Sequence, residues 1–273
     1  MPRFEPAGGS TPVWLDHTDY TARLLAGGQP PWLDALACAA WLKKGQGLLR
    51  PDVVRFPATD LIEAWLQAHA ELVSALGEKS RASYPVKRLL ADEPLRQHLA
   101  DVLQALRGSV AQVPIALAIE TPGALVQRAN RHAGRDAEAP DEDLVDTAAM
   151  YLADALRELA SLAPDCIDIV LLESEGDDAE LSLCQPVFNV AEHQRWQVAA
   201  RCTGRLSHAA VDIAVAPAPT TGTRGIWIDE ATWSRDDAPP SAGGDFWFAR
   251  VPEDADPERV LTRLEGLRQA PAQ

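Results

Sequence analysis

Hydrophobic and polar positions along this chain follow two alternating rhythms. Residues 167–175 (IDIVLLESE) form a near-continuous apolar run, rich in β-branched side chains, that stops at two carboxylates. Such a run predicts a strand buried on both faces, as in a parallel sheet covered by helices, because neither face meets water. Glu173 and Glu175 are two apart, so an extended chain points both to one face where the core gives way to a loop. Related runs occur at residues 12–17 (PVWLDH), 52–60 (DVVRFPATD), 113–121 (VPIALAIET), 196–203 (WQVAARCT), 211–217 (VDIAVAP), 225–230 (GIWIDE) and 245–251 (DFWFARV), which gives eight strands.

Between them the period lengthens to that of a helix. Residues 31–45 place Trp32, Leu33, Leu36, Ala40 and Trp41 on one side, with Pro31 near the start and Lys43 and Lys44 near the end. Residues 61–77 repeat Leu61, Trp65, Leu66, Leu72 and Leu76 and stop at Gly77. Further helices are predicted over 93–107, 123–132, 141–162, where Pro164 lies past the end, and 256–269. Strands mostly separated by helices predict a (β/α)8 TIM barrel over residues 12–273, behind an N-terminal arm of residues 1–11. The connections after the fifth, sixth and seventh strands are too short for full helices, so the outer ring should be thin there. A doubly wound open sheet shares the rhythm, but no GxGxxG follows a strand.

Charge narrows the partners. The 273 residues include 25 Lys and Arg against 40 Asp and Glu, a formal net charge of -15, and an acidic surface repels nucleic acid. No stretch approaches the ~20 apolar residues that span a bilayer. The N-terminal residues lack the apolar core of a secretory signal. A cytoplasmic protein with a small-molecule ligand is therefore expected, with neither nucleic acid nor membrane as partner and a homodimer allowed. Cys38, Cys166, Cys184 and Cys202 have no CxxC spacing, so neither a zinc knuckle nor a disulfide framework is implied.

In a barrel the site lies where the strands end, so the polar residues at those exits are its candidates. Asp60, His17, Glu173 and Glu175 are the catalytic candidates, and Asp16, Glu120, Arg201, Asp229, Glu230 and Arg250 the substrate-binding ones. Each acid alone reads equally well as a cap for the next helix. Together they would repel one another unless protonated, paired or metal-bound, so at least one of Asp60, Glu173 and Glu175 should have a raised pKa. His17 suits a proton shuttle or a structural hydrogen bond. Cys202 suits a metal ligand or nucleophile, or a plain buried thiol.

Several stretches carry a family resemblance. Thr11, Pro12, Val13 and Trp14 at the first strand, residues 56–61 (FPATDL), 114–122 (PIALAIETP) and 255–267 (ADPERVLTRLEGL) resemble the uroporphyrinogen decarboxylase and cobalamin-independent methionine synthase (UROD/MetE-like) superfamily. That superfamily, which also holds the corrinoid methyltransferases, is built on a (β/α)8 barrel. The resemblance runs over most of the chain and implies one-carbon chemistry, decarboxylation or methyl transfer, with Asp60 at the position of the decarboxylases' catalytic aspartate. The departures are specific. Residues 15–21 (LDHTDYT) hold no arginine where the decarboxylases grip substrate carboxylates, and Ala249-Arg250-Val251-Pro252 replaces their histidine-bearing stretch. An acidic mouth also argues against uroporphyrinogen itself, and for a small neutral or cationic substrate.

In the methyltransferases zinc is held by a His-x-Cys-Gly stretch and a later cysteine. Here Cys202 matches the first thiol, Ala200 stands where the histidine would be, and no cysteine follows. A zinc site would then need Glu173, Glu175 or His17 as further ligands. Two other readings compete with a one-carbon enzyme: a barrel that has lost catalysis and binds a ligand or partner, and a metal-dependent hydrolase favoured by the acidic mouth alone.

Overall fold

Pleat alternation along each strand decides which residues fill the barrel and which meet its helices. The computed structural model describes residues 2–6, 11–136, 138–176, 178–217, 220–228, 233 and 243–270. The strands are β1 (Val13–Asp16), β2 (Val54–Pro57), β3 (Ile115–Glu120), β4 (Ile169–Ser174), β5 (Gln197–Cys202), β6 (Ile213–Ala216), β7 (Thr223–Ile228) and β8 (Phe246–Arg250). All ladders are parallel, in the order β1-β8-β7-β6-β5-β4-β3-β2, so the sheet is a nearly closed barrel of the (β/α)8 kind.

The helices are α1 (Thr18–Ala26), α2 (Ala35–Leu49), α3 (Ala58–Ala68), α4 (Ala70–Leu76), α5 (Tyr84–Leu90), α6 (Glu93–Ser109), α7 (Pro122–His132), α8 (Glu142–Leu162), α9 (Gln185–Gln194) and α10 (Pro257–Gln269). None of the described helices is long and apolar enough to cross a membrane. Residues 203–212, between β5 and β6, form no helix, so the ring is thin there. Two predicted helices differ. The first begins at Ala35 because Asp34 caps it, accepting from the Ala37 N–H at 2.9 Å. The expected helix over 61–77 breaks at His69, whose ring stacks on Trp65 and whose Nδ1 lies 2.8 Å from the Trp65 carbonyl.

Large and small side chains share the lumen. Phe4, Trp14, Phe246 and Phe248 fill one side, and Ala116, Ala118 and Ala199 line the other. Gly225 makes this possible, since a Cβ there would sit 2.3 Å from the Phe246 ring. Phe4 belongs to the N-terminal arm yet is 4% exposed, and the Gln197 amide holds its backbone at both N–H (2.8 Å) and carbonyl (3.3 Å). The arm thus stoppers the barrel floor.

One device recurs four times at that end. Asp52, Asp168, Asp212 and Asp245 each precede an even-numbered strand and accept from a main-chain N–H of the preceding odd-numbered one: Val13 (2.7 Å), Ile115 (2.8 Å), Val198 (2.8 Å) and Arg224 (2.7 Å). Each returns its own N–H to the carbonyl of the same residue. The Asp52 pair bridges β1 and β2, the neighbours that share no ladder among the described residues.

Candidate functional site

At the opposite end the inward parity of the strands brings charges together. Asp16 (β1), Arg55 (β2), Glu173 (β4), Arg201 (β5) and Arg250 (β8) line the floor of one cavity of about 770 Å³. In the row Arg250, Asp16, Arg55, Glu173, Arg201 they alternate in sign. Arg55, 7% exposed, places Nη2 at 2.5 Å from Glu173 and Nη1 at 3.4 Å from Asp16 and 3.2 Å from Thr18 Oγ1. Arg201 Nε donates to Glu173 at 3.0 Å while its guanidinium lies over the Trp227 ring. Arg250 donates to Asp19 at 2.8 Å and lies 4.0 Å from Asp16. Burial disfavours the ionised form of Asp16, but Arg55, Arg250 and the Thr18 hydrogen bonds outweigh it and hold the carboxyl below its ordinary pKa.

The wall on the β3 side is also paired. Arg128 of α7 grips Glu120 with two nitrogens, at 2.8 and 2.7 Å, and also reaches Glu63. Glu180, from the short 3₁₀ turn Ala179–Leu183, accepts from Thr121 Oγ1 at 2.9 Å and from the Gly123 N–H at 2.5 Å, at the start of α7. Glu175 stands at the rim, 88% exposed, with Arg201 at 3.9 Å.

Asp60 differs from its neighbours. It is the third residue of α3 and not its cap, which falls on Pro57. It lines the cavity, yet accepts no hydrogen bond among the described residues, because the Arg55 nitrogens are turned to Asp16, Thr18 and Glu173. Burial, reinforced by Asp16, Glu173 and Asp19 and opposed by Arg55, pushes its pKa up to about 6.

Two candidates fall outside the cavity. His17 follows Asp16, so pleat parity turns it outward; it packs against Gly45 of α2, with Nδ1 3.3 Å from Thr21 Oγ1. Burial there lowers its pKa to about 4, which removes the charge a shuttle would carry near neutral pH. Cys202 follows Arg201 and is likewise turned outward, wholly buried in the apolar layer between strands and helices. Its place is that of a core thiol. Among the described residues, no three His, Cys, Asp or Glu side chains are grouped to hold a metal ion. Asp229 and Glu230 lie outside the described residues. Arg55 and Arg128 are not among the residues that strand exits single out. Arg55 did carry a signal, as the one charge inside the run VVRFP, whereas Arg128 sits on a helix face that nothing in the sequence marks.

Asp60 and His17 should oppose each other in acid. The unfolded Asp60 titrates near 3.8 and the folded one near 6, so this group adds stability as pH falls through 6 toward 4. The unfolded His17 titrates near 6.5 and the folded one near 4, so its contribution is lost over the same window. Asp60→Asn should therefore raise stability at pH 7, by about 1 to 2 kcal/mol once partial solvent contact and the lost charge near the start of α3 are allowed for. It should also steepen the loss on acidification. Urea unfolding of both proteins at several pH values measures this, and a variant less stable than wild type at pH 7 would count against a strained carboxylate.

No protein-family model matches this sequence, and no curated protein does.

Proposed function

We propose that the chain is an enzyme of the UROD/MetE-like kind that carries out one-carbon chemistry on a small substrate held in the mouth cavity, with Asp60 as its acid/base or cation-stabilising group. The observation that supports this is Asp60 itself: a largely desolvated carboxyl in a cavity wall, without a hydrogen bond among the described residues, whose pKa near 6 suits proton exchange at neutral pH. The resemblance at residues 56–61 points to the same aspartate. Glu173 would serve through Arg55 and Arg201, as the carboxylate that fixes both guanidinium groups.

Of the two reactions, decarboxylation is the better supported. The C–C bond breaks, CO2 leaves, and the electron pair remains on carbon until a proton replaces the lost group. Positive charge beside that carbon stabilises the pair, and an ionised Asp60 favours such charge. Its proton affinity near neutrality also lets it pass the incoming proton on. The test is CO2 release from a panel of neutral and cationic amino acids, followed from pH 5 to 8. Release by wild type that is lost in Asp60→Asn supports the reading; undiminished release by that variant removes Asp60 from the chemistry.

A second reading is a non-catalytic binding barrel. It is favoured by the placement of His17 and Cys202 away from the cavity and by the pairing of the floor arginines with protein carboxylates. Ligand binding without turnover of any member of the panel would select it.

A further inference from the structure

The charges of the cavity also point to what it holds. We propose that the ligand carries a protonated nitrogen, an amidinium or ammonium group, that donates to the carboxylate of Asp60; this rests on the reading of the cavity as the working site. Asp60 is the wall acid whose acceptor capacity is unused among the described residues, so a donor placed there satisfies a group already withdrawn from most of its water. A ligand that is anionic overall finds no equivalent seat. Arg55, Arg128, Arg201 and Arg250 are each engaged by carboxylates, so an anionic ligand would have to displace an acid fixed to the protein, whereas a cation displaces nothing.

The local field acts in the same sense. Asp16 of β1, Asp19 of α1 and Glu173 of β4 face Asp60, opposed by Arg55 of β2, whose charge is already shared between two of those acids. Arg131, exposed at the outer edge of the cavity, forms no ion pair among the described residues, and an anion would settle there, away from the floor. The volume, about 770 Å³, suits a small molecule and not a polymer.

Three probes of one shape separate the possibilities: benzamidinium (cation), benzamide (neutral) and benzoate (anion). Calorimetry with wild type at pH 7.5 should show benzamidinium binding at least ten-fold more tightly than benzoate, with benzamide between them. In Asp60→Asn the preference should shrink to two-fold or less. At pH 5, where Asp60 holds its proton, wild type should bind benzamidinium about ten-fold more weakly than at pH 7.5. Equal benzamidinium affinity in wild type and Asp60→Asn, or no binding of any probe at millimolar concentration, overturns the proposal. Tighter benzoate binding that is lost in Asp60→Asn also overturns it, yet leaves the cavity standing as the site. If in addition Asp60→Asn leaves CO2 release unchanged, the site reading fails as well.

Discussion

Arg55→Met is expected to lower folding stability by about 3 to 5 kcal/mol, seen as an earlier urea midpoint at an unchanged slope. The methionine fills much of the same volume, so the loss is electrostatic. It leaves Asp16 and Glu173 facing Asp60 without the cation that now lies between them, in a layer where Arg55 and Glu173 are each 7% exposed. It also unties β1 from β2 at the mouth, where no ladder joins them among the described residues. Adding Glu173→Gln to Arg55→Met should recover part of the loss, since one uncompensated charge is then gone. If Arg55→Met alone costs less than about 1 kcal/mol, water reaches these groups and the alternating floor contributes no more than a surface ion pair.

Phe4→Ala should cost about 3 to 4 kcal/mol, although Phe4 stands in a stretch that reads as a polar, proline-containing arm. Its ring meets Phe246 edge-on at 4.9 Å and Trp14 at 5.8 Å, in a lumen where a void cannot collapse because the surrounding strands are fixed by their ladders. Deleting residues 1–6 should cost at least as much, since the Gln197 amide then loses both of its partners as well. Thermal melting of the two variants reads the effect. Wild-type melting temperatures in both would mean that the arm only rests against the barrel.

The strands were legible because each is an apolar run between helical stretches, and the mouth was legible because barrel strands end there. Residue parity was harder to read. A run such as PVWLDH shows where polarity begins, but only the pleat assigns Asp16 inward with Trp14 and His17 outward, and it separates Arg201 from Cys202 in the same way. Arg55 lay within view in its run, but a charge in a buried strand finds its meaning only in partners 39 and 118 residues away in sequence. The raised pKa expected among the mouth acids falls on Asp60, while Asp16 and Glu173 are paired with arginines. The arm concealed Phe4, since one aromatic residue among prolines and glycines carries no period.

The four aspartates beneath the strands also suggest an order of assembly. They close segments of very different length: Val13 to Asp52 and Ile115 to Asp168 are separated by 39 and 53 residues, Val198 to Asp212 and Arg224 to Asp245 by 14 and 21. Closing the 53-residue segment costs about 1 kcal/mol more chain entropy than closing the 14-residue one. We therefore expect the late strands to join first and serve as a template for the earlier ones, which would show as slower refolding in Asp212→Ala and mainly faster unfolding in Asp168→Ala. On that route Asp16, Arg55 and Glu173 meet only when the barrel closes, and the charged floor of the cavity is the last part of the molecule to be made.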